Sequence, residues 1–169
     1  MTDTWIRRRY MIRRSARSFN TTPECTVNLY KSVCQGNVGK CKKWLRKGAD
    51  PRQICTREML KNPDIVLVAM NSLQAAVWNR QAEALKEMIT WLQNLSMETD
   101  VKLDLNASDM NTGKYTLLEL AVLVNNVDVV RVLVEAGMNP SEVLPFARCK
   151  RSVDIIALLE GRAESSHHA

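Results

Sequence analysis

Two stretches of this chain close in nearly the same way. Trp44-Leu45-Arg46-Lys47-Gly48-Ala49-Asp50-Pro51 ends one, and Leu133-Val134-Glu135-Ala136-Gly137-Met138-Asn139-Pro140 ends the other. Each reads as the last turn of a helix, a Gly that lets the chain reverse at its C-terminus, and then Asp or Asn with Pro opening a loop. A helix end that recurs in this form implies a repeated helix–turn–helix unit. A repeat constrains the fold more than any other local signal, because each unit must bury its apolar face against the next.

The fullest unit runs from Asp109 through Met110-Asn111-Thr112-Gly113-Lys114-Tyr115-Thr116-Leu117-Leu118-Glu119-Leu120-Ala121-Val122 and on to Pro140. Gly113, Thr116, Leu118, Ala121, Val129-Val130, Leu133-Val134, Gly137 and Pro140 fall on the pattern of an ankyrin repeat, which this unit resembles. Three further units align on the anchor leucines Leu29, Leu73 and Leu144, with Leu118 as the anchor of the third. The anchors are 44, 45 and 26 residues apart, against about 33 in the family. Two spacers are therefore long and the last is short. The resemblance covers residues 27–160. It implies an all-α ankyrin-repeat solenoid of three to four helix–turn–helix units with short β-finger loops. The family's first-helix His becomes Tyr30, Gln74, Glu119 and Pro145, so the hydrogen-bond network usual between its repeats is not expected here.

The pattern divides the chain into a basic N-terminal arm at 1–22, expected to be flexible, a repeat domain at 23–160 and a mobile tail at 161–169. The units fall at 27–51, 63–94, 109–140 and 141–160. Helices are expected at 26–35 and 38–47 in the first unit, with a short turn at 55–61. Asn62-Pro63 is a good N-cap and first position, so the second unit should open with a long helix at 63–78, followed by one at 81–94. The alternation in Val101-Lys102-Leu103-Asp104-Leu105 suggests an extended finger. The third unit's helices are expected at 116–124 and 127–136, and the fourth's at 141–149 and 152–159.

Composition narrows the functional classes. Apolar residues make up 46% of the chain, enough for a core, and no apolar run reaches the length of a membrane span. The five cysteines are odd in number and form no Cys-x-x-Cys pair, and no secretory signal is evident. Reduced thiols acting as buried small hydrophobes are the expectation, in cytoplasm or nucleus. His167 and His168 both lie in the tail, and no phosphate-binding Gly-rich loop or calcium loop is present. No catalytic residue, cofactor or metal is therefore assigned, and a non-enzyme is expected.

The net charge of +6 is uneven. Residues 1–20 carry six arginines against Asp3, a net +5, and the remaining residues carry +1. The arm reads as an unspecific basic tail, a dock for an acidic partner or nuclear import, a mitochondrial presequence (opposed by Asp3), or a nucleic-acid contact. Nucleic acid is the least supported, because a near-neutral body adds no basic track. No membrane association is expected.

The resemblance also implies which side chains escape the core. In each first helix, the anchor and the residue three later should be buried. The positions two, five and six after the anchor should face a groove. These are Lys31, Cys34 and Gln35; Ala75, Trp78 and Asn79; Leu120, Leu123 and Val124; Phe146, Cys149 and Lys150. Trp78, Leu123 and Phe146 would form an apolar stripe of the kind that marks partner sites, or the long spacers would cover them. The finger tips would add Arg52 and Gln53, then Asn111, Lys114 and Tyr115.

Small ankyrin-only chains act by binding another protein. They include cyclin-dependent kinase inhibitors and a developmental regulator that restrains DNA replication, so a Ser/Thr kinase complex is the implied partner. Leu105-Asn106-Ala107-Ser108-Asp109 with Gly113-Lys114-Tyr115-Thr116, and the long spacer before it, also resemble inhibitor-of-NF-κB repeats. That alternative would sequester a Rel-type transcription factor.

Overall fold

A computed structural model describes residues 22–60, 70–99, 105 and 115–166. The described chain is mostly helical. Its elements are α1 (Pro23–Cys34), α2 (Val38–Arg46), β1 (Ile54–Cys55), α3 (Arg57–Leu60), β2 (Met70–Asn71), α4 (Ser72–Trp78), α5 (Ala82–Thr99), α6 (Leu117–Leu123), α7 (Val127–Glu135), α8 (Pro140–Lys150) and α9 (Val153–Ser166).

Four helical hairpins, α1–α2, α4–α5, α6–α7 and α8–α9, stack in sequence order. The first helices form one row, with α1 against α4, α4 against α6 and α6 against α8. The second helices form the other, with α2 against α5, α5 against α7 and α7 against α9. One hydrophobic core runs between the rows. It contains Leu29, Leu73 and Leu118 from the first row and Leu45, Leu85, Leu133 and Leu159 from the second.

The first helix of every hairpin ends in the same way. Three residues after each anchor stands a small, buried side chain: Ser32, Ala76, Ala121 and Ala147. Its carbonyl accepts from the amide five residues on, that is from Asn37, Gln81, Asn126 and Ser152, at 2.9, 2.8, 3.3 and 3.4 Å. The residue seven after each anchor is left-handed: Gly36, Arg80, Asn125 and Arg151 have φ of 65, 59, 51 and 56°. This is the Schellman helix ending, which satisfies the last carbonyls and reverses the chain. It recurs in all four units although the anchors are unevenly spaced. In the last unit Val143 is fully buried on α8, and the expected anchor Leu144 is half-buried.

The helix N-termini explain Gln74 and Glu119. Asn71 accepts from the Gln74 amide at 2.8 Å, and the Gln74 side chain accepts from the Asn71 amide at 3.0 Å. Thr116 and Glu119 do the same at 3.2 and 2.7 Å. Gln74 and Glu119 thus complete capping boxes, each satisfying two amides that a bare helix start would leave unpaired.

Several expected boundaries move. The second unit does not open with a helix at 63–78: α4 begins at Ser72, after the Asn71 cap, and Asn62 and Pro63 lie outside the described residues. The two residues before it belong to β2, which pairs antiparallel with β1 through Ile54 opposite Asn71 and Cys55 opposite Met70. The first long spacer therefore starts and ends in a two-stranded finger. Helix α5 runs on to Thr99, five residues past the expected end at 94. Gly161 to Ser166, part of the expected tail, continue α9. The arm at 1–21 and the finger at 101–104 lie outside the described residues, and Leu105 is half-buried against the core.

Candidate partner-binding surface

The stack lines up one exposed position from every unit. Cys34, Trp78, Leu123 and Cys149, each five residues after its anchor, are all exposed. They stand at the C-terminal ends of α1, α4, α6 and α8, beside the hairpin turns. Trp78 and Leu123 are the apolar members, at 41% and 37% exposure.

The position two after the anchor divides differently. Lys31 on α1 is exposed, but Ala75 and Leu120 are buried at 1% and 8%. Leu120 is therefore a core residue and not part of a groove. The cause is position in the row: α4 and α6 have a first-row neighbour on each side, whereas α1 has one. Phe146, on the end helix α8, is half-buried. Its ring centroid lies 6.0 Å from that of Tyr115 at a 42° tilt, and the Lys150 ammonium sits 5.5 Å over it. Phe146 and Tyr115 make a pair by the N-terminal end of α6, apart from Leu123 at its other end. The expected continuous stripe is thus a Trp78–Leu123 row and a separate Tyr115–Phe146 pair.

Polar members of the candidate site are held in place. Asn79 follows Trp78 and donates from Nδ2 to the Ala75 carbonyl at 2.8 Å, with the Cys34 sulfur of the preceding hairpin 3.8 Å away. Its other side faces solvent. Arg52 lies on the finger side, exposed, and its guanidinium makes two 3.0 Å bonds to the Asp50 carboxylate. Its charge is largely answered within its own turn. Asn111 and Lys114 lie outside the described residues.

One residue went unread in the sequence. Arg80 donates from its guanidinium to the carbonyl of Val124, 2.9 Å away, and so ties the second hairpin turn to the third. Arginine in a turn looks like a solvated residue; only the stacking of turns reveals its acceptor. Gln81 behaves similarly, since a Cβ on Gly36 would come within 2.7 Å of its Oε1. The first hairpin turn thus meets the second, and the second is bonded to the third.

All five cysteines are free; Cys41 and Cys55 are buried, Cys25 is half-buried, and Cys34 and Cys149 are exposed. Burial pushes the Cys41 and Cys55 thiols up to about 11 and the Tyr30 phenol up to about 12. Partial burial of the otherwise exposed Cys34 raises its thiol too, against the pull of a hydrogen bond with Tyr30. These groups stay protonated at neutral pH, so the buried pair behave as small hydrophobes. A small cleft between α6 and α8 is lined by Thr116, Glu119, Asn139 and Glu142, whose side chains serve the helix starts. Among the described residues, no group of three His, Cys, Asp or Glu side chains is placed to hold a metal, and no helix is long and apolar enough to cross a membrane.

No protein-family model matches the chain, and no curated protein matches it in sequence.

Proposed function

We propose that this chain is a small ankyrin-repeat protein that works by holding another protein against the row containing Trp78, Asn79 and Leu123. The observation that carries the reading is the exposed residue repeated at the end of each first helix, with two large apolar side chains at its centre. Such side chains cost free energy in water and release it when a partner covers them. They are mounted on packed helix ends, so little side-chain or backbone freedom is lost on binding. The ankyrin assignment itself rests on the Thr116-to-Pro140 motif, the paired rows of helices and the finger before α4.

The partner proposed is a cell-cycle protein kinase complex, whose activity the chain would alter by occupying its surface and thereby restrain DNA replication. This part of the reading comes from the resemblance to small ankyrin-only regulators. It is tested by affinity capture of the tagged chain from its native cells, followed by mass spectrometry. A stoichiometric Ser/Thr kinase supports the proposal. A stoichiometric Rel-type transcription factor in its place would assign the chain to the inhibitor class instead.

A further inference from the structure

The near-neutral total of the helical body conceals a division of charge. Residues 1–47 hold twelve basic and two acidic groups, a net +10, whereas residues 48–169 hold twelve basic and sixteen acidic groups, a net −4. Half of the basic groups in the first segment belong to the first hairpin, and five of those lie between Lys40 and Lys47.

The local structure gives that charge a direction. Helix α2 has no acidic residue and buries one side, Cys41 and Leu45, in the core. Lys40, Lys43, Arg46 and Lys47 are all exposed. Lys40, Lys43 and Lys47 follow an i, i+3, i+7 spacing, which places them along one face, over roughly 10 Å of helix at 1.5 Å per residue. Among the described residues, Lys42 is the one member of α2 in an ion pair, to Glu87 at 3.0 Å. Basic side chains in a last turn do offset the helix dipole, but that dipole is equivalent to only about half a charge. Four exposed cations exceed what it requires. Like charges so close repel one another, and a polyanion relieves that repulsion.

We propose that this face of α2 binds the phosphate backbone of a nucleic acid without regard to its sequence. The proposal goes beyond the protein-partner reading and uses a different surface. Two other polyanionic occupants fit less well. An anionic membrane is held firmly by a helix that also inserts apolar side chains. None of the exposed large apolar residues, Trp78, Met97, Tyr115, Leu123 and Val153, lies on α2. The one candidate, Trp44, is half-buried, with the Lys43 and Lys47 ammonium groups 5.7 and 4.6 Å from its ring centroid. An acidic protein segment would similarly lack an apolar anchor, which is where interface energy concentrates. A phosphate backbone needs only closely spaced cations, and lysine meets it as a point charge.

The test is fluorescence anisotropy of a labelled duplex of about 20 base pairs with the full chain, from roughly 50 to 200 mM salt. The variant is Lys40→Ala/Lys43→Ala/Lys47→Ala, with Lys86→Ala as a control on another helix. Binding to unrelated duplex sequences with equal affinity is expected. In the triple variant, the slope of log affinity against log salt should fall by about 3, one for each phosphate contact removed. The control should leave the slope unchanged. Lys43→Arg/Lys47→Arg, which keeps the charge, should retain binding. Absence of duplex binding, an unchanged slope in the triple variant, or tighter binding to anionic phospholipid vesicles than to duplex would each overturn the proposal.

Discussion

Arg80 and Val124 are 44 residues apart, yet the guanidinium of one donates to the backbone carbonyl of the other at 2.9 Å. The bond joins the turns of the second and third hairpins, and its donor is itself held at a positive φ of 59°. One residue thus carries two opposed effects. The cross-hairpin bond stabilises, and the left-handed backbone costs a non-glycine residue about 1 kcal/mol.

Those effects separate by substitution. Arg80→Ala keeps the strained backbone and loses the bond, so it should be the least stable form. Arg80→Gly loses the same bond but relieves the strain, and should exceed Arg80→Ala by on the order of 1 kcal/mol. Urea denaturation of the three proteins checks the order. Equal stability of the Ala and Gly variants would mean that the turn does not hold residue 80 in the left-handed region.

The capping boxes make a second prediction. Thr116→Ala removes the acceptor for the Glu119 amide at the start of α6 and should cost about 1 kcal/mol. Glu119→Ala removes the reciprocal bond to the Thr116 amide. The double variant should cost less than the two single variants added together, because each half of the box positions the other. Thermal melts followed by circular dichroism read all three.

A third prediction concerns the small residue beside each turn. Ala121 is fully buried in α6, which packs between α4 and α8. Ala121→Leu should destabilise by about 1–3 kcal/mol through overpacking. Leu123→Ala, two residues on and exposed, should change stability by less than about 0.5 kcal/mol. A comparable loss at both positions would place Leu123 in the core.

Much of this architecture is legible in the sequence, and the reasons differ by element. The hairpin ends at Gly48 and Gly137 are readable because glycine is the usual left-handed residue. The turns inside the later hairpins, at Arg80, Asn125 and Arg151, use residues that do not advertise a left-handed backbone, so the sequence does not mark them. The start of α4 is not legible, because Asn62-Pro63 is a better helix start on paper than Asn71-Ser72. The pairing of Met70-Asn71 with Ile54-Cys55 is a tertiary contact that local propensity does not encode. In the candidate site, the exposure of Trp78 and Leu123 is what the resemblance implies for the position five after each anchor. Leu120 departs from what it implies, because its burial depends on neighbours on both sides of α6. Phe146 was grouped with the wrong residues because its contact with Tyr115 crosses between hairpins.

The buried titratable groups set an alkaline limit. Cys41 and Cys55 are raised from 9.0 to about 11, and Tyr30 from 10.0 to about 12. Each is an acid whose folded form prefers to keep its proton, so above pH 9 the unfolded chain binds fewer protons than the folded one. Stability is then fully present below pH 9 and declines as pH rises through 9 to 11 for the thiols and 10 to 12 for the phenol. Denaturant midpoints at pH 8 and pH 10.5 should show the fall, and Cys41→Ala/Cys55→Ala should show less of it.

The most direct test of the account is capture of the cellular partner by the intact chain and by Trp78→Asp/Leu123→Asp, each checked for helical signal. The expected result is an unchanged circular dichroism spectrum and melting temperature, with the stoichiometric partner lost from the variant. A variant that stays folded and captures that partner as well as the parent does would contradict the account.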